Sequence, residues 1–465
     1  MPPLEVNPQI QTQKQELPQN LLKPNSTFNK TPKKFIAITI AAAFTLLVIA
    51  SLLALFIYSK TKNRSVNQTP QKVDLLFWGT TESEELINQI ISEYAKTHQN
   101  VNIKYEKRPL DEYDEIAYTR IKSQDPSVTP DIIEIESYLV RDLLDYLSSP
   151  PPQLFTPESI EEKFFPAAKK VCSRIGTLYC VPAEFNGIVL IYNKSWLENS
   201  GITTIPNNWD DFQKTAKNLT NIVKVKEGAE EKEIITKSGA CLGTGTGTNH
   251  SGEIVFLLML QNRVPLDKWD GWKQMNSEKG VVALDFYRSF YDQKIWDESL
   301  GNSLDAFLGG KCAMTFADIK DVYTVIKSNA SFQWKTTMPP QIFGQINLAQ
   351  FKVLAVPKSS LHQQEAWDFV SYFLSSEVQG KIFQFEGPKA YKKIPPNRDL
   401  IHVISKDNYL SGFSEIFITS NPVIIPRYKL STTALQKGLD ESLSNNGKND
   451  SQEIIDNVIR EASKS

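Results

Sequence analysis

"VDLLFWGTTESEELINQIISEYAKTHQNVNIKYEKRP", residues 73–109, decides the fold. It opens on a short apolar strand, VDLLFW, and breaks at GTTESEE. That break reads as a turn entering a helix, with Thr or Ser as N-cap and glutamates in the first turn. Leu86, Ile87, Ile90, Ile91 and Tyr94 then recur at helical spacing. VNIKYEKRP alternates apolar and polar residues, as a half-buried strand does. Further on, YDEIAYTRIKSQ (113–124) predicts a helix, PDIIEI (130–135) a strand and YLVRDLLDYL (138–147) a helix. The order β-α-β-α-β-α predicts a mostly parallel sheet with right-handed crossovers. Ligands of such sheets bind beyond the carboxyl ends of the strands. Those ends carry Trp78, Thr80, Thr81 and Glu82, then Arg108 and Pro109, then Glu134, Glu136 and Ser137.

Upstream the composition changes. Residues 1–34 hold six prolines and five glutamines with few large apolar side chains, a composition that cannot offset its ordering entropy and predicts a disordered tail. Residues 35–58, FIAITIAAAFTLLVIASLLALFIY, run 24 residues without a charge. At 1.5 Å per residue such a helix spans roughly 36 Å, enough to cross a hydrocarbon core of about 30 Å with tilt. A cleaved signal peptide is the rival reading, but its apolar region normally runs about 7–15 residues. Lysines and arginines flank the run equally, so charge leaves its orientation open. Residues 59–72 are a polar linker.

Downstream the α/β pattern runs a second time. WDDFQKTAKNL predicts a helix, NIVKVKEGAEEKEIITKSG a charged excursion, and ACLGTGTGTNHSGEIVFLLML a strand, a Gly/Thr loop and a long apolar helix. The whole chain has 465 residues, which suits two lobes. Its 51 Lys+Arg against 53 Asp+Glu give no basic excess for nucleic acid. The four histidines form no ligand-spaced cluster with cysteine, so no metal or other cofactor is expected. GTGTGTNHSGE (243–253) lacks the Gly-Lys-Ser/Thr ending of a phosphate loop.

Five blocks in order resemble the extracellular solute-binding proteins of ABC transporters, in the carbohydrate-binding branch that includes maltose-binding protein. They are VDLLFWGTTESEEL with ISEYAKTHQNVNIKYE, PDIIEI, GTLYCVPAEFNGIVLIYNKSWLENSGI with IPNNWDDF, FLGGKCAMTFAD and EAWDFVSYFLSSEVQGKI. The resemblance covers about residues 73–440. It implies a two-lobed α/β periplasmic-binding-protein fold of type II, preceded here by one transmembrane helix. Residues 73–182 and 343–390 would form the first lobe, and 183–342 and 391–465 the second. It further implies a cell-membrane protein with its body outside, partnered by a small solute, sugar above all, and by ABC permease subunits. The crossing between lobes falls at Val181–Gly187. There Asn186 stands where the maltose-binding branch places a carboxylate.

Sugars are held by planar groups that fork to pairs of hydroxyls and by aromatic faces over the ring. Glu184, Phe185 and Asn186, beside the crossing, are therefore candidates. Trp78 is either a platform or a core residue capping its sheet. Thr80, Thr81 and Glu82 lie at the sheet edge with Glu136. Thr246, Thr248, Asn249 and Ser251 offer hydroxyls and amides at a helix N-terminus, or else form a flexible loop with Ser251 as cap. Asp318 is a ligand contact or an N-cap. Asn347 and Gln350, where the chain returns to the first lobe, and Arg427 and Tyr428 in the late segment, complete the set. The two other readings are a sensor of the same fold signalling through its helix, and a glycan hydrolase, although no local signature joins a nucleophile, a base and an orienting group.

The four cysteines divide into two pairs. A three-residue loop at Ile175-Gly176-Thr177 would set Cys172 opposite Cys180, within disulfide range, whereas a two-residue turn would offset them by one. Cys241 and Cys312 fall on second-lobe strands and form a second bridge or two buried thiols.

Overall fold

A computed structural model describes residues 48–55, 72–80, 83–109, 112–227, 230–386, 391–444 and 450–464. Residues 48–55 are helical, with their apolar side chains exposed. The rest of the 35–58 run, like the tail and nearly all of the 59–72 linker, lies outside the described residues. Among the described residues, no helix is long and apolar enough to cross a membrane.

The body, Gln71–Ser465, forms one unit built on two sheets. The first contains β1 (Val73–Gly79), β2 (Val101–Lys107), β3 (Ile132–Glu136), β4 (Val181–Pro182) and β8 (Lys352–Ala355), in the order β2-β1-β3-β8-β4. Both β2 and β3 run parallel to β1, as the connecting helices α1 (Glu84–Ala95) and α2 (Tyr113–Ser123) require. β8 runs antiparallel to both β3 and β4. Burial follows position in the sheet. The edge strand β2 buries only alternate residues (Val101, Ile103 and Tyr105), whereas the central β3 buries Ile132, Ile133, Glu134 and Ile135 on both faces. After β3 the expected helix over 138–147 breaks into short helical turns, from Ser137 to Tyr146.

The second sheet differs from the first. β5 (Val189–Asn193) lies between β6 (Met314–Ala317) and β7 (Trp334–Thr337), antiparallel to both. Around it pack α3 (Trp209–Leu219), α4 (Ser251–Gln261), α5 (Glu278–Asp292), α6 (Ile319–Ser328), α8 (Tyr428–Ser444) and α9 (Ser451–Ala462); α7 (Gln363–Phe373) packs on the first sheet. α4 buries ten of its eleven residues, so it is a core helix. Its last residue, Gln261, accepts from Trp209 Nε1 at 2.7 Å and donates to the carbonyls of Pro340 and Ile346, which satisfies its buried amide. The charged excursion is a two-stranded ribbon, Asn221–Glu227 with Glu230–Lys237.

Two chain passages between the sheets lie side by side. Gly187 bridges Ala349, and Gln350 N–H donates to the Asn186 carbonyl at 3.2 Å. The contact is tight enough to demand glycine: a Cβ on Gly187 would stand 2.5 Å from the Leu348 carbonyl oxygen. Residues 391–398 run back along the first sheet, where Ile394 bridges Phe185 and Asn397 bridges Phe164.

Both disulfides form. Cys241 and Cys312 are joined with Cα atoms 6.1 Å apart, and Cys172 and Cys180 with Cα atoms 4.9 Å apart. The turn beside the second pair is shorter than the three-residue loop that would oppose its cysteines. Arg174 pairs with Thr177 and Ser173 with Leu178, so only Ile175 and Gly176 turn, both at positive φ. Cys172 ends a helix just before the ribbon, and that bend brings its sulfur to Cys180 despite the one-residue offset.

Candidate functional site

The carboxyl end of β3, the passages after β4 and before β8, and the N-termini of α4 and α6 converge on one cavity of about 200 Å³. Glu136 and Tyr138 line it from the first sheet; Glu184, Asn186, Gly187, Ile188 and Gln350 from the two passages; His250, Glu253, Asp318 and Lys320 from the helix N-termini. Tyr138 also lines a second, adjoining cavity of about 420 Å³, together with Asp114, Asp142, Arg427, Tyr428 and Lys429. Tyr138 and Tyr428 stack there, centroids 4.9 Å apart and planes 11° apart.

Behind the first cavity lies a buried ionic group. Lys393 is ion-paired with Glu134 and lies 3.9 Å from Glu184; Tyr391 Oη donates to both Glu184 oxygens. Thr80 donates its N–H and its hydroxyl to Glu134 Oε2, and Lys352 Nζ donates to Thr80 Oγ1. Burial pushes the Glu134 carboxyl up, but the charges of Lys393 and Lys352 outweigh it and hold the group down, at about 2.

The groups facing the cavity are less fully matched. Asn186 Oδ1 accepts from Gly187 N–H at 2.8 Å and from Ile319 N–H at 3.2 Å, which ties the crossing to the start of α6 and leaves its NH2 toward the cavity. Asp318 Oδ1 caps α6, accepting from the Lys320 and Asp321 N–H groups, so the residue is both cap and cavity lining. His250 stands in the left-handed region at the start of α4, its Nε2 2.7 Å from Asp321 Oδ2. Burial works to lower the His250 pKa, but Asp321, Asp318 and Glu253 raise it to about 9, so the ring is charged at neutral pH. His250, Asp318 and Asp321 bring ligand-type atoms within 4.8 Å of one another, the one such cluster among the described residues, but its donors already serve the ion pair and the cap. Glu253 accepts from Tyr428 Oη at 3.1 Å. The Glu136 carboxylate has no hydrogen-bond or ion-pair partner among the described residues. Burial pushes it up to about 7 against the pull of Lys352 and Lys320.

The structure thus brings Glu136, Glu184, Asn186, Asp318 and Gln350 to the first cavity, and Arg427 and Tyr428 to its neighbour. It does not bring the others there. Trp78 is buried under the Arg108 guanidinium, 3.8 Å from its ring, and donates to Glu106. Thr80 serves the ionic group, and Phe185 packs against Phe165 and Phe417 in the core. Thr246 hydrogen-bonds Asp440, and Thr248 hydrogen-bonds Thr244 in the interior. Asn249 lies behind His250, within 3.5 Å of Asp321. Asn347 is fully buried between Gln341 and Thr419. Ser251 is not the cap of α4 but its first residue, accepting from Gln436. Thr81 and Glu82 lie outside the described residues. Tyr138, Ile188, His250, Glu253 and Lys320 are lining residues that sequence reasoning missed. The signal for Glu253 and Lys320 was their place in the first turn of a helix whose N-terminus meets the sheet edge.

The model for the family described as bacterial extracellular solute-binding protein matches residues 78–380, well over half the chain. The chain belongs to that family. The fold agrees with solved structures throughout the described body. The sugar-binding protein MalE from Xanthomonas citri superposes with a TM-score of 0.67 at 17% identity, over 84% of this chain and 96% of that one. A cyclo/maltodextrin-binding protein complexed with maltotetraose gives 0.65 at 15%, over 84% and 97%. The acarbose-binding GacH receptor of Streptomyces glaucescens gives 0.59 at 20%, over 83% and 96%. No curated protein matches this sequence. The solute-binding family therefore has here its two-lobed α/β fold, with the cavity where the lobes meet.

Proposed function

We propose that this solute-binding protein is a membrane-tethered receptor for a sugar or oligosaccharide, which it delivers to an ABC import permease as its lobes close. The observation that carries the reading is the cavity between the two sheets. Carboxylates and amides reach it from both lobes, and the stacked Tyr138–Tyr428 pair adjoins it, offering the two devices that hold sugars. A solute bridging both lobes favours the closed form by its extra contacts there. Glu184, Asn186, Asp318 and Gln350 take the polar contacts in this reading, with Glu136. The uncharged run 35–58 tethers the body outside the cell and spares it a lipid anchor.

A melting-temperature screen of the full-length chain tests the reading against oligosaccharides, peptides and polyamines. An oligosaccharide raises the midpoint. If none does while a peptide or a polyamine does, the sugar reading is wrong.

A further inference from the structure

We propose that the solute is a cationic saccharide, one carrying a free ammonium group that Glu136 receives, with Glu253 and Asp318 close by. The inference rests on reading this cavity as the solute site.

Charge accounting carries it. Four carboxylates line the first cavity: Glu136, Glu184, Glu253 and Asp318. Glu184 belongs to the ionic group with Lys393, and the charge of His250 is matched by Asp321, outside the lining. Three carboxylates then face one ammonium, Lys320, and Glu136, pushed up to about 7, holds a proton part of the time at neutral pH, so the surplus lies between one and two negative charges. The second cavity adds to the surplus, since Arg427 pairs with Glu461 and Lys429 is matched by Asp114, which leaves Glu112, Glu115 and Asp142 at the wall. Glu136 bears the consequence. It sits at the end of the central strand, partly buried and unpaired. Two lysines near it do not offset its desolvation. An uncompensated buried carboxylate is costly, and the cost falls when a cation arrives.

Sugar hydroxyls can donate to one carboxylate, but they cannot cancel a surplus of negative charge. An ammonium group does, through charge-assisted hydrogen bonds. The rings of Tyr138 and Tyr428 serve the same ligand, since an aromatic face attracts both C–H surface and a cation. A divalent metal fits less well, because His250 would have to release the proton that Asp321 holds on it.

Calorimetry on the full-length chain tests the proposal with matched tetramers of glucose, N-acetylglucosamine and glucosamine, at a pH where the amines are charged. The glucosamine tetramer is expected to bind about tenfold or more tighter than its acetylated twin. The gap narrows as added salt screens the charges. Glu136→Gln removes about tenfold of that preference, and Glu253→Gln supplies a second variant should the first fail to fold. Neutral tetramers binding as well as the amine overturn the cationic proposal and leave the sugar reading standing. Spermidine binding while every saccharide fails overturns the sugar reading itself. Stabilisation by calcium alone, reversed by a chelator, makes the site a metal site and overturns the proposal too.

Discussion

Replacing Lys393 with methionine tests the ionic group that holds the back of the cavity. The substitution keeps the length of the stem and removes the charge that faces Glu134. Glu134 is 2% exposed, so solvent does not take the place of the lost partner. Its carboxyl titrates near 4.5 in an unfolded chain and at about 2 here. A depression of that size corresponds to about 3 kcal/mol at neutral pH, at 1.36 kcal/mol per unit; Lys393 is its largest source, with Lys352 and the Thr80 N–H adding to it, so this is the most that the substitution removes from it. The Gln71–Ser465 unit unfolds with an entropy near 2.1 cal/mol/K per residue, so the melting midpoint of Lys393→Met falls by up to roughly 4 °C. The pH dependence has a definite sign. A carboxylate depressed in the folded state stabilises above its unfolded pKa, and that stabilisation is lost as pH falls through the folded one. The wild-type advantage over Lys393→Met is therefore full at pH 7, shrinks as pH drops below about 4.5 and is gone near pH 2. The assay is thermal unfolding of both proteins along a pH series. A Lys393→Met midpoint equal to wild type at neutral pH refutes the reasoning, and so does a deficit that stays constant on acidification. The double variant Glu134→Gln/Lys393→Met should recover part of the loss, because the orphaned charge at 134 is then gone while Glu184 keeps its hydrogen bonds from Tyr391 but not its lysine.

Three further outcomes follow from the same geometry. Gly187→Ala forces a Cβ against the Leu348 carbonyl oxygen and the Ile416 side chain, and should cost about 1–3 kcal/mol in chemical unfolding while weakening solute binding through the distorted crossing. The paired change Cys241→Ser/Cys312→Ser opens a closure of 71 residues and should cost about 4 kcal/mol in urea unfolding, against about 2.5 kcal/mol for Cys172→Ser/Cys180→Ser across 8; equal losses would contradict the loop-entropy account. Asn186→Asp keeps both acceptor contacts, to Gly187 and to Ile319 at a helix N-terminus, so calorimetric stability should change by less than about 1 kcal/mol.

The first sheet was legible because its three opening strands alternate with helical stretches, the first of strong apolar period, and that order leaves few topologies. The second was legible only in part. β5 buries Val189, Leu190, Ile191 and Asn193, a run without alternation, and such a run carries no sign of the direction of its neighbours. The site shows the same division. Strand ends located the cavity, but they do not say which way a side chain turns. Thr80 turns inward because Glu134, buried on the neighbouring strand β3, needs donors. Trp78 turns away because Arg108 and Glu106 hold its ring. Tyr138 was hidden in a stretch that reads as an ordinary helix and is in fact a series of short turns. His250 is legible only in three dimensions, since its partner Asp321 lies 71 residues away and meets it only once α4 and α6 bring their N-termini together.

Asn186 joins these strands of the argument. Its backbone carbonyl holds the returning passage at Gln350, and its side-chain oxygen holds the first N–H of α6. That helix brings Asp318 and Lys320 to the cavity. The crossing and one wall of the cavity are thus fastened by a single uncharged side chain. A carboxylate at 186 would keep the fastening, offset in part by the N-terminus of α6, but add a negative charge to the cavity that Glu136, Glu184 and Asp318 already line. Asparagine at this position follows from an acidic cavity: it keeps the hydrogen bonds that the passage needs without deepening the charge surplus.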